Sequence, residues 1–137
     1  MASILTELGK TKQVFSDIPG SFELNPVNRD LTKMVNEQSV KQSIKNLLLT
    51  NRGERLFQPN IGGDLRALLF ENVTPAVISI AEKEVIRMLE LYEPRCNVLE
   101  AVIDGDIDRN YVRITITFTV INTSEVIEYS VLLDRIR

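Results

Sequence analysis

Within the segment 111–121, the side chains from Val112 to Val120 alternate strictly between apolar and polar, and this pattern constrains the fold more than any other feature of the chain. The apolar positions are Val112, Ile114, Ile116, Phe118 and Val120. The side chains of a β-strand point to opposite faces in turn, so this alternation predicts a strand in a sheet with one buried face. Such a sheet needs other elements to cover its apolar side.

Two further segments have the character of strands, at residues 98–104 and 125–133. The second alternates as well, with Ile127, Tyr129, Val131 and Leu133 expected to face inward. The connections at residues 105–110 and 122–124 are short. The three strands are therefore predicted to form an antiparallel meander.

Two amphipathic helices precede these strands. Residues 37–50 place apolar side chains on one helical face, at Val40, Ile44, Leu47 and Leu48. The second helix is predicted to begin at Thr74-Pro75, a good N-cap followed by a favoured first residue, and to end before Pro94. The fold class that follows is α+β, with helices packed on one face of a small three-stranded antiparallel sheet.

The chain of 137 residues fits one domain. Residues 1–35 carry turn signals and are interpreted as an N-terminal extended tail, and residues 36–137 as a single domain. In the connection between the helices, Leu56 and Phe57 are expected to return to the core. Asp64 is expected to cap a short helix over residues 65–71, with Leu65, Leu68, Leu69 and Phe70 on its buried side.

The composition excludes most catalytic and metal sites. Without histidine there can be no triad that uses it as a base, and the commonest zinc sites are excluded. The lone Cys96 can form no internal disulfide and is interpreted as a buried structural residue. We expect no cofactor and no metal. A net charge of −3 argues against nucleic-acid binding, and no apolar run approaches the ~20 residues of a membrane span. With no signal peptide recognised, synthesis in a cytoplasm is expected.

One acidic cluster has the spacing of a calcium loop. Asp104, Asp106 and Asp108 match its start, but Arg109 and Thr115 stand where the loop needs glycine and glutamate. A polar hairpin loop is the better interpretation.

Glu93-Pro94-Arg95 lies between the long helix and the first strand. It can be a simple helix stop with an exposed ion pair, which contributes ~0–1 kcal/mol. Alternatively, Pro94 fixes the backbone so that both charges are presented to a partner without an ordering cost. The second interpretation predicts that Arg95→Ala leaves the domain folded but blocks assembly. A hydrolase with paired carboxylates is disfavoured, because a nearby arginine lowers the pKa that a general acid needs raised.

Several segments carry a family resemblance by their order and spacing. They are Ser16-Asp17-Ile18, residues 40–50, Arg52-Gly53-Glu54-Arg55, Pro59 with Gly62, Leu69-Phe70-Glu71-Asn72, and Tyr92-Glu93-Pro94-Arg95. In these the chain resembles the baseplate wedge proteins of contractile phage tails, often called the gene-25-like lysozyme family. It is also similar to their counterparts in type VI secretion baseplates.

The resemblance implies a structural, non-enzymatic subunit of the virion tail baseplate, with one copy in each of six wedges. Glu93, Pro94 and Arg95 would dock on the helical core bundle of other wedge proteins, and Arg52, Glu54 and Arg55 are further candidates for partner binding. The C-terminal sheet would offer an edge to the tail sheath subunit by β-augmentation. Two alternatives stay open: a peptidoglycan hydrolase of the tail, and a type VI secretion baseplate subunit.

Overall fold

The computed structural model describes residues 14–70, 74–106, 111–121, 123 and 125–134. Its elements in chain order are β1 (Ser16–Asp17), β2 (Met34–Val35), α1 (Glu37–Leu49), a 3₁₀ helix (Leu65–Leu69), α2 (Pro75–Tyr92), β3 (Cys96–Asp106), β4 (Tyr111–Val120) and β5 (Val126–Asp134). The chain divides into two compact units, residues 1–39 and 40–137.

The described part of the first unit is held by two short strands and by side-chain hydrogen bonds. Strands β1 and β2 pair antiparallel, and Leu24 forms an isolated bridge with Leu31. The side-chain oxygen of Asn36 accepts hydrogen bonds from the amides of Val14 (2.8 Å) and Phe15 (3.2 Å). These contacts give residues 14–36 a defined backbone course.

The second unit contains an antiparallel sheet in the order β3-β4-β5, which confirms the predicted α+β class and meander. The register between β4 and β5 runs without interruption. Between β3 and β4 it shifts from Val98 to Glu100, which leaves Leu99 as an extra residue in β3. Such a bulge locally disrupts the ladder and bends the strand.

The core lies on one face of this sheet. All five apolar residues predicted to face inward on β4 are buried, as are Ile127, Val131 and Leu133 on β5. Tyr129, which was expected beside them, is only half-buried. The alternation therefore identified the buried face, because every second side chain of a strand points to the same side of the sheet.

The helices begin and end close to their predicted positions. In α2, the Thr74 hydroxyl accepts a hydrogen bond from the Val77 amide (3.3 Å), and Pro75 is the first helical residue. Its buried residues are Ala81, Val85, Met88 and Leu89, and those of α1 are the four predicted together with Ser39. Helix α2 packs against β3, while the 3₁₀ helix contacts β4 and β5.

The connection between the helices differs from the prediction. Leu56 and Phe57 are 92% and 95% exposed, so they do not return to the core. Phe70 is 67% exposed, because a 3₁₀ helix repeats every three residues and places Leu65 and Leu68 on the same side instead. Asp64 precedes this helix but forms no capping hydrogen bond through its side chain.

Candidate functional site

The backbone around Glu93-Pro94-Arg95 is fixed from both sides. The Glu93 amide still donates to the last turn of α2, and its conformation (φ −125°, ψ 75°) is no longer helical, because a following proline disfavours helical geometry. The Glu93 carbonyl accepts from the Cys96 amide (3.4 Å), and the Arg95 carbonyl accepts from the Ile121 amide (3.0 Å). The tripeptide thus connects the end of α2 to the sheet with no free hinge.

The two charged side chains form a bidentate ion pair. Arg95 Nε donates to Glu93 Oε1 at 2.6 Å, and Arg95 Nη2 donates to Oε2 at 2.9 Å. The Glu93 side chain is 3% exposed and that of Arg95 is 24% exposed. Two parallel N–H···O bonds of this kind fix orientation as well as adding energy.

A third residue, Ser43 on α1, completes the arrangement around the carboxylate. Burial by itself would raise the pKa of Glu93, but the hydrogen bonds from Arg95 and Ser43 and the positive charge of Arg95 outweigh it. The pKa of Glu93 is therefore lowered. At neutral pH the carboxylate is ionised, which is the opposite of what a general acid requires.

This geometry contradicts the exposed ion pair, and it also contradicts the presentation of both charges to a partner. Glu93 faces inward, where it orients Arg95. Only Pro94, which is exposed, and the outer part of Arg95 can be contacted from outside. In contrast to the prediction from sequence, we expect Arg95→Ala to destabilise the domain, because removal of the guanidinium leaves a buried carboxylate without its cation.

Cys96 follows the tripeptide and is buried, as predicted. Its Sγ donates to the Glu93 carbonyl at 3.5 Å. Burial raises the pKa of Cys96 to about 11, the Glu93 charge adds to the rise, and Arg95 opposes it. The thiol stays protonated at neutral pH, so it is a structural group rather than a nucleophile.

The other predicted binding residues lie on the loop after α1 and form separate contacts. Arg52 Nη2 pairs with Glu84 Oε1 of α2 at 3.0 Å, with side chains 52% and 40% exposed. The Glu54 carboxylate accepts from the Asn51 amide at 2.8 Å. Arg55 is exposed. The Arg52 and Glu54 side chains are therefore not partners of each other.

The loop nevertheless reaches the last turn of α2. The Tyr92 hydroxyl donates to the Asn60 carbonyl at 3.1 Å. Arg52, Asn60 and Tyr92 also line a cleft of about 370 Å³ between the loop and the helix. Since Tyr92 immediately precedes Glu93, the loop and the tripeptide are neighbouring parts of the second unit.

The two edges of the sheet differ in their freedom to add a strand. On β3, the Ile103 amide donates to Glu82 Oε1 of α2 at 3.1 Å, and the bulge at Leu99 interrupts the ladder. Within the part of the chain that the structure describes, β5 forms hydrogen bonds only with β4. The edge of β3 is thus partly closed and that of β5 is open.

The direction of the β5 amides follows from the same contact. The Ile103 amide points away from β4, so Ile103 and its partner Ile114 are a pair without mutual hydrogen bonds. The backbone amide of Ile114 therefore points toward β5, where Ile114 forms a hydrogen-bonded pair with Val131. The neighbouring residues of Val131 then point the other way. The amides of Glu128, Ser130 and Leu132 are therefore directed to the open edge.

Sequence reasoning missed Ser43, Glu82 and Glu84. Ser43 carried a signal, because it lies three residues after Val40 and four before Leu47, on a buried face of α1 where a polar side chain needs a partner. The partners of Glu82 and Glu84 depend on how α2 packs against β3 and the loop, and no local pattern encodes that.

Among the described residues, no group of three or more histidine, cysteine, aspartate or glutamate side chains is arranged to hold a metal ion. Asp108 and Arg109 of the acidic cluster lie outside the described residues. None of the described helices combines the length and apolar character needed to cross a bilayer.

Comparison with known proteins gives consistent matches. A family described as baseplate wedge protein gp25 matches residues 35–125. The baseplate wedge protein gp25 of Enterobacteria phage T4 is 29% identical over 121 residues, which is 88% of this chain and 91% of that protein.

Three solved structures share the fold. A candidate tail lysozyme from Geobacter sulfurreducens has a TM-score of 0.65 at 24% identity, covering 74% of this chain and 92% of its own. A chain of the sixfold-symmetrised anti-feeding prophage baseplate has a TM-score of 0.60 at 18% identity, covering 86% and 83%. A chain of the type VI secretion baseplate complex has a TM-score of 0.57 at 13% identity, covering 71% and 93%.

Proposed function

Because the chain belongs to the family of the baseplate wedge protein gp25, we propose that it is a structural, non-enzymatic subunit of a contractile-tail baseplate wedge. In this role it occupies the tail of the virion, one copy per wedge and six per baseplate. It docks on other wedge proteins through Arg95 and the loop at residues 52–55. It then templates the first sheath subunits by strand addition.

The open edge of β5 is the observation that carries strand addition. Its nine residues keep an uninterrupted register with β4 and direct a row of amides outward. An unpaired edge of this kind is a template for another chain, and main-chain hydrogen bonds supply the affinity. Glu82 and the Leu99 bulge partly close the edge of β3, which favours β5 as the side for strand addition.

Docking is supported by the way in which Arg95 is held. Glu93 holds the guanidinium from the inside and Ser43 holds the Glu93 carboxylate, so little side-chain entropy is lost when a partner contacts Arg95. The Arg95 side chain is 24% exposed, so the outer part of its guanidinium can meet helix carbonyls or carboxylates of a partner. In this proposal Arg95 makes the contact and Glu93 positions it.

Strand addition is tested with Ser130→Pro, which removes one outward amide of β5. Ser130→Ala is the matched control, because it changes the side chain and keeps the amide. Electron microscopy of assembled tails is expected to show baseplates without sheath for the proline variant and normal tails for the alanine variant. Normal sheath growth on Ser130→Pro baseplates would show that the β5 edge is not the template.

Docking is tested with Arg95→Lys, which keeps a positive charge beside Glu93 but loses the bidentate fork. Arg66→Lys, at an exposed position on the 3₁₀ helix, is the control. Size-exclusion chromatography of co-expressed wedge proteins is expected to show weakened co-assembly for Arg95→Lys alone. Equal co-assembly of the two variants would remove Arg95 from the docking surface.

A peptidoglycan hydrolase is the alternative, favoured only by the description of the Geobacter relative as a candidate lysozyme. The lowered pKa of Glu93 opposes it. We expect the pure protein to release no peptidoglycan fragments. Release that is lost in Glu93→Gln would instead favour the enzyme. The further alternative, a type VI secretion subunit, performs the same mechanical task, and the neighbouring genes would distinguish it.

A further inference from the structure

Leu56 and Phe57 are more exposed than any other large apolar residues in the described part of the chain, at 92% and 95%. They are adjacent in sequence and lie on the loop between α1 and the 3₁₀ helix. A folded domain gains nothing by holding two neighbouring large apolar side chains in water. Exposed apolar residues grouped in this way are typical of interaction sites.

The loop holds these side chains on a fixed support. The Gly53 amide donates to the Pro59 carbonyl at 2.8 Å and closes the neck beneath residues 54–58, which we call the tip. Below the neck, the Gly63 amide donates to the Thr50 carbonyl at 3.2 Å, next to Gly62 with its positive φ of 112°. The tip is therefore a short turn on a hydrogen-bonded base, and its apolar residues are presented with little ordering cost on binding.

The charged side chains in and next to the tip differ in whether they already have a binding partner. The Glu54 carboxylate already accepts from the Asn51 amide, and Arg52 pairs with Glu84. Arg55, directly before Leu56, forms no ion pair with any residue that the structure describes. The tip thus offers two apolar side chains directly after an exposed arginine that forms no ion pair among the described residues.

We propose that the tip inserts Leu56 and Phe57 into an apolar pocket with a carboxylate at its rim, on another protein of the baseplate wedge. This docking proposal rests on the proposed function, because the partner is taken to be a protein of the same baseplate wedge. A convex tip requires a concave partner, and Arg55 requires a negative charge beside the pocket. Contacts of the loop with Tyr92 and Glu84 hold it against α2, on the side where the tripeptide follows. One wedge partner can therefore contact both Arg95 and the tip.

The energetic test is competition between variant and wild-type protein for places in assembled tails. Phe57→Ser and Arg55→Glu are compared with two controls outside the tip, Val27→Ser at 91% exposure and the exposed Arg66→Glu. Mass spectrometry of purified tails is expected to show that the incorporation of the tip variants, relative to wild type, falls roughly tenfold or more. Losses of this size are typical of anchor residues in other interfaces. Incorporation of the tip variants equal to that of the controls would overturn the proposal.

The partner is identified by replacing Phe57 with the photo-crosslinking residue p-benzoylphenylalanine and irradiating assembled tails. The expected product joins position 57 to a peptide of another wedge protein that contains apolar residues and an aspartate or glutamate. A link to a second copy of this chain, a link to lipid, or no link in tails that contain the protein would each contradict the proposal. Absence of the wild-type protein from tails would instead contradict the proposed function.

Discussion

Glu93-Pro94-Arg95 and the loop at residues 52–55 are built from the same charged residue types, yet they use them in opposite ways. At the tripeptide the carboxylate is 3% exposed and bidentate to its arginine. On the loop, Arg52 meets Glu84 with both side chains in contact with water. The first pair belongs to the interior of the domain and the second to its surface.

The difference in burial determines what each pair contributes. Solvent and salt screen an exposed pair, whose contribution is therefore ~0–1 kcal/mol. A buried pair has already incurred the cost of desolvation, so the loss of one partner leaves an uncompensated charge. The four predictions that follow test this contrast between the tripeptide and the loop, beginning with the largest expected effect.

Arg95→Ala is expected to lower the free energy of unfolding by about 3 kcal/mol, since Glu93 is then left buried without its cation. Urea denaturation of the purified chain measures the change. Arg87→Ala, at an exposed position on α2, serves as the control and is expected to have little effect. A loss below ~1 kcal/mol for Arg95→Ala would mean that the ion pair of the tripeptide contributes no more to stability than an exposed pair does.

Gly62→Ala is expected to lower the free energy of unfolding by about 2–3 kcal/mol. An effect of this size would show that the backbone of the loop, rather than its charged side chains, contributes most to stability there. Gly62 has a φ of 112°, and a Cβ there would lie 2.4 Å from the Thr50 carbonyl oxygen. Gly53→Ala is the matched control, because its φ is also positive (84°) but the space around it is open.

For Gly53→Ala the expected cost is about 1 kcal/mol, from the backbone conformation alone. Thermal or urea unfolding of the two variants measures the difference. Equal effects at the two glycines would mean that the base of the loop relaxes around the added methyl group.

Glu93→Gln is expected to lower the free energy of unfolding by about 1.5–2 kcal/mol at neutral pH, because it weakens hydrogen bonds to a charged group. The folded-state pKa of Glu93 lies below its ordinary value of 4.5, so its contribution is present above that value and is lost as the pH falls through the folded-state pKa. The difference in unfolding free energy between wild type and Glu93→Gln should therefore shrink as the pH is lowered from 7 to 3. A difference that does not change with pH would show that the pKa of Glu93 is the same in the folded and the unfolded protein.

The sequence was sufficient where structure follows from local rules. Parity along residues 111–121 predicted the buried face of β4, and Thr74-Pro75 predicted the start of α2, because both depend only on neighbouring residues. The tripeptide was singled out by position, but its geometry was not predicted. The Glu93 carboxylate is hydrogen-bonded to Ser43 of α1, fifty positions earlier in the chain, and only the packed structure brings the two together.

The loop shows the converse error. Leu56 and Phe57 were expected in the core because they are apolar, but apolar residues also occur widely on protein surfaces. Hydrogen bonds between backbone groups six and thirteen residues apart close the neck and base of the loop, and they direct the tip outward. Backbone contacts of this kind leave no trace in hydropathy.

Arg52→Ala is expected to have the smallest effect, a loss below ~1 kcal/mol, since the pair with Glu84 is exposed on both sides. A double-mutant cycle with Glu84→Ala isolates the interaction, measured by urea denaturation at low salt and again in 1 M NaCl. At 1 M the Debye length is about 3 Å, so the coupling energy should fall to nearly zero. The cost of Arg95→Ala should persist at the same salt, because Glu93 is shielded from solvent. A coupling above ~2 kcal/mol that resists salt would mean that the loop and the tripeptide hold their charges in the same way.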